Sequence, residues 1–215
     1  NSNNNHMADW IREKDYKKKD INILSYQNIN DNKCDAYIIV NSAKDHFDVS
    51  KKIINFKKPL FIEKPICLSM PDVRELIELS QELNVTFGTS NIFLFAKYVL
   101  DFKDSLLLSK KIESLDFIWS DASTETRYGE IKTYDPSLPI FKDILPHVLT
   151  IIIFLLDSKD IFFKNMCYKD GGSKLKLIFV IQEITCCITL ARNNYCRERL
   201  INVQGDKFFS LDFSE

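Results

Sequence analysis

Apolar residues fall along this chain in two rhythms. In the first half, short apolar runs alternate with stretches of helical spacing; in the second half, apolar and polar residues alternate one by one. Asp35-Ala36-Tyr37-Ile38-Ile39-Val40 is a near-continuous apolar run of the kind buried on both faces of a parallel sheet. It ends at Asn41-Ser42, and Phe47, Ile53, Ile54 and Phe56 then recur at roughly helical intervals. Pro59-Leu60-Phe61-Ile62 predicts a second strand, which stops abruptly at Glu63-Lys64-Pro65. Ser69-Met70-Pro71-Asp72 opens a helix, with Ser69 able to cap it and Pro71 in the first turn, where its missing N–H costs little. Val73, Leu76, Ile77 and Leu83 form its apolar stripe, and Val85-Thr86-Phe87 predicts the next strand. Upstream, residues 8–19 read as a helix with a solvated lysine end, and Ile21 to Tyr26 as a short strand. Strand–helix–strand–helix–strand order implies right-handed crossovers and a parallel sheet.

The character changes after about residue 108. Ile112 to Ser120 predicts a long strand, 121–142 an irregular polar-aromatic segment, and 143–157 a helix. Strands follow at 161–169, 174–182, 184–192 and 197–204. Leu175, Leu177, Phe179 and Ile181 form one face of their strand, and Ile184, Cys186, Ile188 and Leu190 one face of the next. Such alternation with short turns indicates an antiparallel sheet buried on one side. The expected fold class is therefore α/β: a parallel-sheet domain over residues 1–108, followed over residues 109–215 by an α+β domain with an open, mainly antiparallel sheet.

Composition narrows the function classes. A net charge of −1 over 215 residues gives no basic field for nucleic acid or an anionic membrane surface. The most apolar run, Ile144 to Leu156, is too short to span a bilayer. None of the six cysteines forms a Cys-x-x-Cys pair, so no metal is expected; reduced core thiols in a cytoplasmic protein are the expectation. There are only five glycines, and no glycine-rich phosphate loop.

Two sequence features carry candidate chemistry. Glu63-Lys64-Pro65 falls where a parallel strand ends, the place where open α/β sheets bind ligands. Side chains of successive residues in an extended segment point oppositely, which would turn Lys64 away from Glu63. Taken alone, Lys64 reads more readily as a surface residue of a strand-to-helix loop. Asp143 and His147 are four residues apart, on one face of the expected helix. They read as an N-cap and a core histidine, or as a polar pair at a site. The preceding segment carries Arg127, Lys132 and Tyr134, either substrate contacts or a solvated loop. Trp119 is expected in the core, and Arg192, Arg197 and Arg199 on exposed strand positions.

Glu63-Lys64-Pro65 after a βα unit, Asn91 after the next strand and Asp143-x-x-x-His147 opening a helix together resemble the Gfo/Idh/MocA oxidoreductases over roughly residues 20–205. The resemblance implies a Rossmann-type first domain, incomplete here, and NAD or NADP as cofactor. It implies Lys64 as catalytic acid/base, with His147 and Asp143 assisting. Asn41, Ser42, His46, Glu63, Lys64 and Asn91 would lie near the cofactor. Arg127, Lys132 and Tyr134 would meet a sugar-like, cyclitol or imine substrate. It further implies a homo-oligomer formed through the second sheet. The sequence departs from the family in lacking the first strand with its Gly-x-Gly-x-x-Gly turn, which is expected in residues outside this sequence. Asn3-Asn4-Asn5-His6 reads as a remnant of that turn or as a leader segment. The rival expectation is a catalytically silent relative that serves as a binding or assembly subunit.

Overall fold

The computed structural model describes residues 29, 34–127, 130–131 and 138–214. The helix expected at 8–19, the strand at 21–26 and the segment Asn3 to His6 lie outside the described residues. Residues 36–215 form one compact unit, and all elements below belong to it.

The first sheet is parallel, in the order β1 (Tyr37–Ile39), β2 (Leu60–Ile62), β3 (Phe87–Thr89). Tyr37 pairs with Leu60 and Leu60 with Phe87, so all three strands end level with one another. Helix α1 (His46–Ile53) connects β1 to β2, and α2 (Met70–Glu82) connects β2 to β3. Ser69 caps α2 by accepting a hydrogen bond from the Asp72 backbone N–H, as its spacing predicts. The strand expected at 85–87 begins two residues later. Asn84 adopts a left-handed conformation and the Val85 N–H bonds back to Ser80 O, so Val85 is spent closing the end of α2.

Helix α3 (Lys97–Leu106) leads into the second sheet, and the sequence reading did not foresee it. The second sheet contains β4 (Ile112–Ala122) and, after the small pair β5 (Thr126–Arg127) and β6 (Glu130–Ile131), continues beyond two helices. These helices are α4 (Ile140–Asp143) and α5 (Leu145–Leu156). Its remaining strands are β7 (Ile161–Lys169), β8 (Lys174–Ile181), β9 (Ile184–Asn194), β10 (Glu198–Gly205) and β11 (Phe208–Asp212). The order is β11-β10-β4-β9-β8-β7, with every neighbouring pair antiparallel except β4 and β9. The expected fold class, a parallel sheet followed by an open and mainly antiparallel one, is what the chain adopts.

Alternation along the strands builds the core. Leu115, Phe117, Leu175, Leu177, Cys186, Ile188, Ile201 and Val203 face inward, against Val148, Ile151 and Ile152 of α5 and Val99 and Phe102 of α3. Burying each large side chain contributes on the order of 1.5–3 kcal/mol. This packing fixes α4 and α5 across the sheet, and with them Asp143 and His147.

Candidate active site

The level carboxyl ends of β1, β2 and β3 gather Asn41, Ser42, Glu63, Lys64, Ser90 and Asn91 along one edge. Glu63 is held there from both sides. Its N–H donates to Ile39 O of β1 at 2.8 Å, and its carboxylate accepts from the Ser90 hydroxyl just beyond β3. That hydroxyl also accepts from the Lys64 N–H at 3.1 Å, and the Lys64–Pro65 peptide is cis. Lys64 itself turns toward the second sheet. Its Nζ donates to Asp143 Oδ1 at 2.7 Å and to Asp143 O at 3.2 Å. The two neighbouring side chains thus diverge.

His46 is only 1% exposed. Its Nδ1 lies 2.8 Å from Pro65 O and its Nε2 3.0 Å from Asn41 O. A ring engaged at both nitrogens contributes to this edge by holding the turns after β1 and β2. Asn41 and Ser42 are exposed, and Asn91 is half-buried.

The helix expected over 143–157 is broken. Residues Ile140–Asp143 make one turn, and a second helix starts at Leu145. Pro146 has no N–H to bond back to Lys142 O, so the ladder is interrupted there and resumes beyond it. Asp143 therefore ends one helix and His147 lies in the first turn of the next. Asp143 gives its oxygens to Lys64 and, at 2.7 Å, to Arg192 Nη2. Burial pushes its carboxyl up, but the charges and hydrogen bonds of Lys64 and Arg192 outweigh this and leave it below the usual carboxylate range.

His147 is packed among aromatics. Its ring lies nearly parallel to Trp119, 5.8 Å between centroids and 8° apart, with Phe93 edge-on at 5.1 Å. Burial first, and the nearby Lys64 charge second, lower its pKa to about 4. The imidazole is therefore neutral at pH 7, and neither ring nitrogen has a hydrogen-bond partner among the described residues.

Arg199 overturns the expectation of an exposed strand arginine: it is 2% exposed. Its guanidinium carbon stands 4.0 Å from the Trp119 ring centre, and it pairs with Asp121, also buried. An ion partner and an aromatic face compensate for the burial. Arg192 is likewise largely buried, whereas Arg197 is exposed as expected. Trp119 belongs to the core, as expected, and also forms a wall of the site.

Two cavities meet at Lys64. One, of about 270 Å³, is lined by Glu63, Lys64, Trp119, Asp143, His147 and Arg199, among others. The other, of about 410 Å³, has walls that are mostly apolar, including Pro65, Val73, Phe141 and Leu145, with Lys64, Thr89 and Asn91 as polar points. Cys67 lines the second cavity, but burial pushes its thiol up to about 12, so it is no ready nucleophile. Among the described residues no group of acidic, histidine or cysteine side chains could hold a metal ion. Lys132 and Tyr134 lie outside the described residues, and of Arg127 only the backbone, in β5, is described.

Residues 2–90 match the Gfo/Idh/MocA model, an oxidoreductase family with an NAD-binding Rossmann fold. No curated protein matches the chain. Among solved structures, the dehydrogenase MviM from Clostridium difficile is similar with a TM-score of 0.73 at 16% identity, covering 90% of this chain and 61% of that one. A putative myo-inositol dehydrogenase from Sinorhizobium meliloti 1021 gives 0.66 at 18%, covering 82% and 56%. GenD2 from gentamicin A biosynthesis, solved in complex with NAD, gives 0.69 at 12%, covering 83% and 54%. The chain spans about three fifths or less of the length of these relatives. The resemblance is matched over residues 2–90, which include Glu63-Lys64-Pro65 and fit the Gfo/Idh/MocA model in sequence, and the described chain shares its fold with these solved dehydrogenases.

Proposed function

We propose that the chain serves an NAD(P)-dependent oxidoreductase acting on a sugar-like, cyclitol or imine substrate. The observation that carries this reading is the position of Lys64 between two unlike cavities. One is apolar with a few polar points, which suits a flat ring bearing an amide. The other is lined by the Lys64–Asp143 pair and a neutral histidine. Asn41, Ser42, Glu63, Lys64 and Asn91 would hold the nicotinamide end, since their strand ends mark the crevice where such sheets take nucleotides. His46 would fix two of those turns from behind. When bound, the nicotinamide supplies or accepts the hydride.

The chain's own residues handle the proton on the heteroatom. Lys64 gives that proton or takes it, and Asp143 steadies the ammonium whenever the lysine carries it. His147, neutral and without a hydrogen-bond partner among the described residues, hydrogen-bonds the reacting hydroxyl or imine and orients it toward Lys64. The aromatic packing of Phe93 and Trp119 excludes water around the imidazole. Arg127, Lys132 and Tyr134 remain the proposed substrate contacts from the preceding segment.

Self-association through the second sheet belongs to the same proposal. Every residue of the edge strand β7 is exposed, including Ile161, Phe162, Phe163, Met166 and Tyr168. An apolar edge of this length invites a partner. Light scattering should show a dimer or larger, and a strict monomer would remove this part.

The test of the activity is a screen of polyols, cyclitols and amines for formation of reduced nicotinamide, with Lys64→Ala beside the parent chain. Loss of a general acid/base is expected to lower kcat by about 10²–10⁴-fold, with the fold retained by circular dichroism. Equal turnover in Lys64→Ala would refute the assignment.

A further inference from the structure

Arg192 lies on β9 and is not among the residues that carry the resemblance. Its guanidinium spans the one-turn helix α4 end to end. Nη1 donates to Leu138 O, just before the helix, at 2.8 Å, and Nη2 donates to Asp143 Oδ2, at its last residue, at 2.7 Å. The helix has no side-chain cap at its N-terminus, and Ile144, which follows it, caps the next helix without a side-chain bond. A single turn has little stability of its own. Its orientation therefore depends on what grips it from outside, and Arg192 grips both ends.

The consequence falls on Asp143. Arg192 takes Oδ2, which leaves Oδ1 for Lys64 Nζ at 2.7 Å. Two cations share one half-buried carboxylate, so each weakens the other's hold on it.

We infer that Arg192 is a positioning residue for the Lys64 chemistry, acting through Asp143: it aims the carboxylate at Lys64 and limits how firmly that carboxylate holds the ammonium. The inference rests on the reading of Lys64 as the acid/base. With Arg192 removed, both oxygens of Asp143 are free to close on Lys64. The lysine is then bound more tightly as the ammonium and yields its amine less readily.

The experiment is competitive acylation of the purified full chain with acetic anhydride at pH 8, with mass spectrometry of the Lys64 peptide. Exposed lysines such as Lys97 and Lys111 serve as internal standards. Arg192→Gln is expected to slow Lys64 acylation severalfold, and Asp143→Asn to speed it severalfold. Arg192→Lys, which keeps the charge, should fall between the parent chain and Arg192→Gln. An arginine that merely tethers Leu138 would leave the Lys64 rate unchanged in Arg192→Gln. A loosened site would raise that rate. Either result overturns the inference. The readout needs neither nicotinamide nor substrate, so it fails or succeeds independently of whether the chain turns over a substrate.

Discussion

Acidification should destabilise this fold through His147 in particular. The imidazole is 9% exposed, and burial together with Lys64 lowers its pKa from 6.5 to about 4. In the unfolded chain the ring takes a proton as pH falls through 6.5, while the folded protein stays neutral until about 4. The unfolded state therefore binds more protons across that window, and stability falls as pH falls. Above pH 6.5 the neutral ring costs the fold nothing. Linkage over this interval gives a loss of about 2 kcal/mol by pH 5 and about 3 kcal/mol by pH 4. The assay is urea unfolding from pH 7.5 to 4, comparing the parent chain with His147→Gln. The glutamine does not titrate, so the gap between the two curves isolates the histidine whatever the substitution does to absolute stability. The parent should lose about 2–3 kcal/mol more than the variant over this range. Parallel curves would refute the reasoning and mean that His147 is solvated when folded.

Two further outcomes follow from the packing. Arg199 and Asp121 form a buried pair beneath Trp119, so Asp121→Asn should destabilise the chain by about 3–5 kcal/mol by leaving a buried charge; thermal unfolding checks this, and a change under about 1 kcal/mol would contradict it. Gly205 sits where a Cβ would meet Lys111 O at 1.9 Å, so Gly205→Ala must shift backbone between β10 and the start of β4. A cost above about 1 kcal/mol in chemical denaturation is expected, and a neutral substitution would show that this turn yields freely.

The legible parts of this fold were those where one local signal decided the outcome. Continuous apolar runs gave β1 and β2, strict alternation gave β8 and β9 with their buried faces, and Ser69 with Pro71 marked the start of α2. The unforeseen parts lacked such a signal. Helix α3 has an alanine at its N-cap and no side-chain cap, although Val99, Phe102 and Leu106 carry its buried stripe. Strand β11 alternates exposed and half-buried residues with none buried, and pairing with β10 defines it. At the site, the spacing of Asp143 and His147 set them on one helical face and the resemblance implied that they assist Lys64, but neither pointed to Arg192. Pro146 separated them into two helices, and the carboxylate went to Lys64 and Arg192. Arg192 and Arg199 looked like surface residues because a charge on a strand is usually solvated. Only the tertiary fold brings Asp143 to one and Asp121 and Trp119 to the other. A basic residue spaced like the apolar positions of a strand was the available hint: Arg199, Ile201 and Val203 share one face of β10.

The strand ends around Lys64 are proposed to receive a nicotinamide cofactor. The most direct test is calorimetric titration of the purified chain with NADH and with NADPH, with circular dichroism to establish that it is folded. Saturable binding of one of them at micromolar concentration is expected. A folded chain that binds neither would contradict the dehydrogenase reading and favour a relative that kept the fold as a binding or assembly subunit.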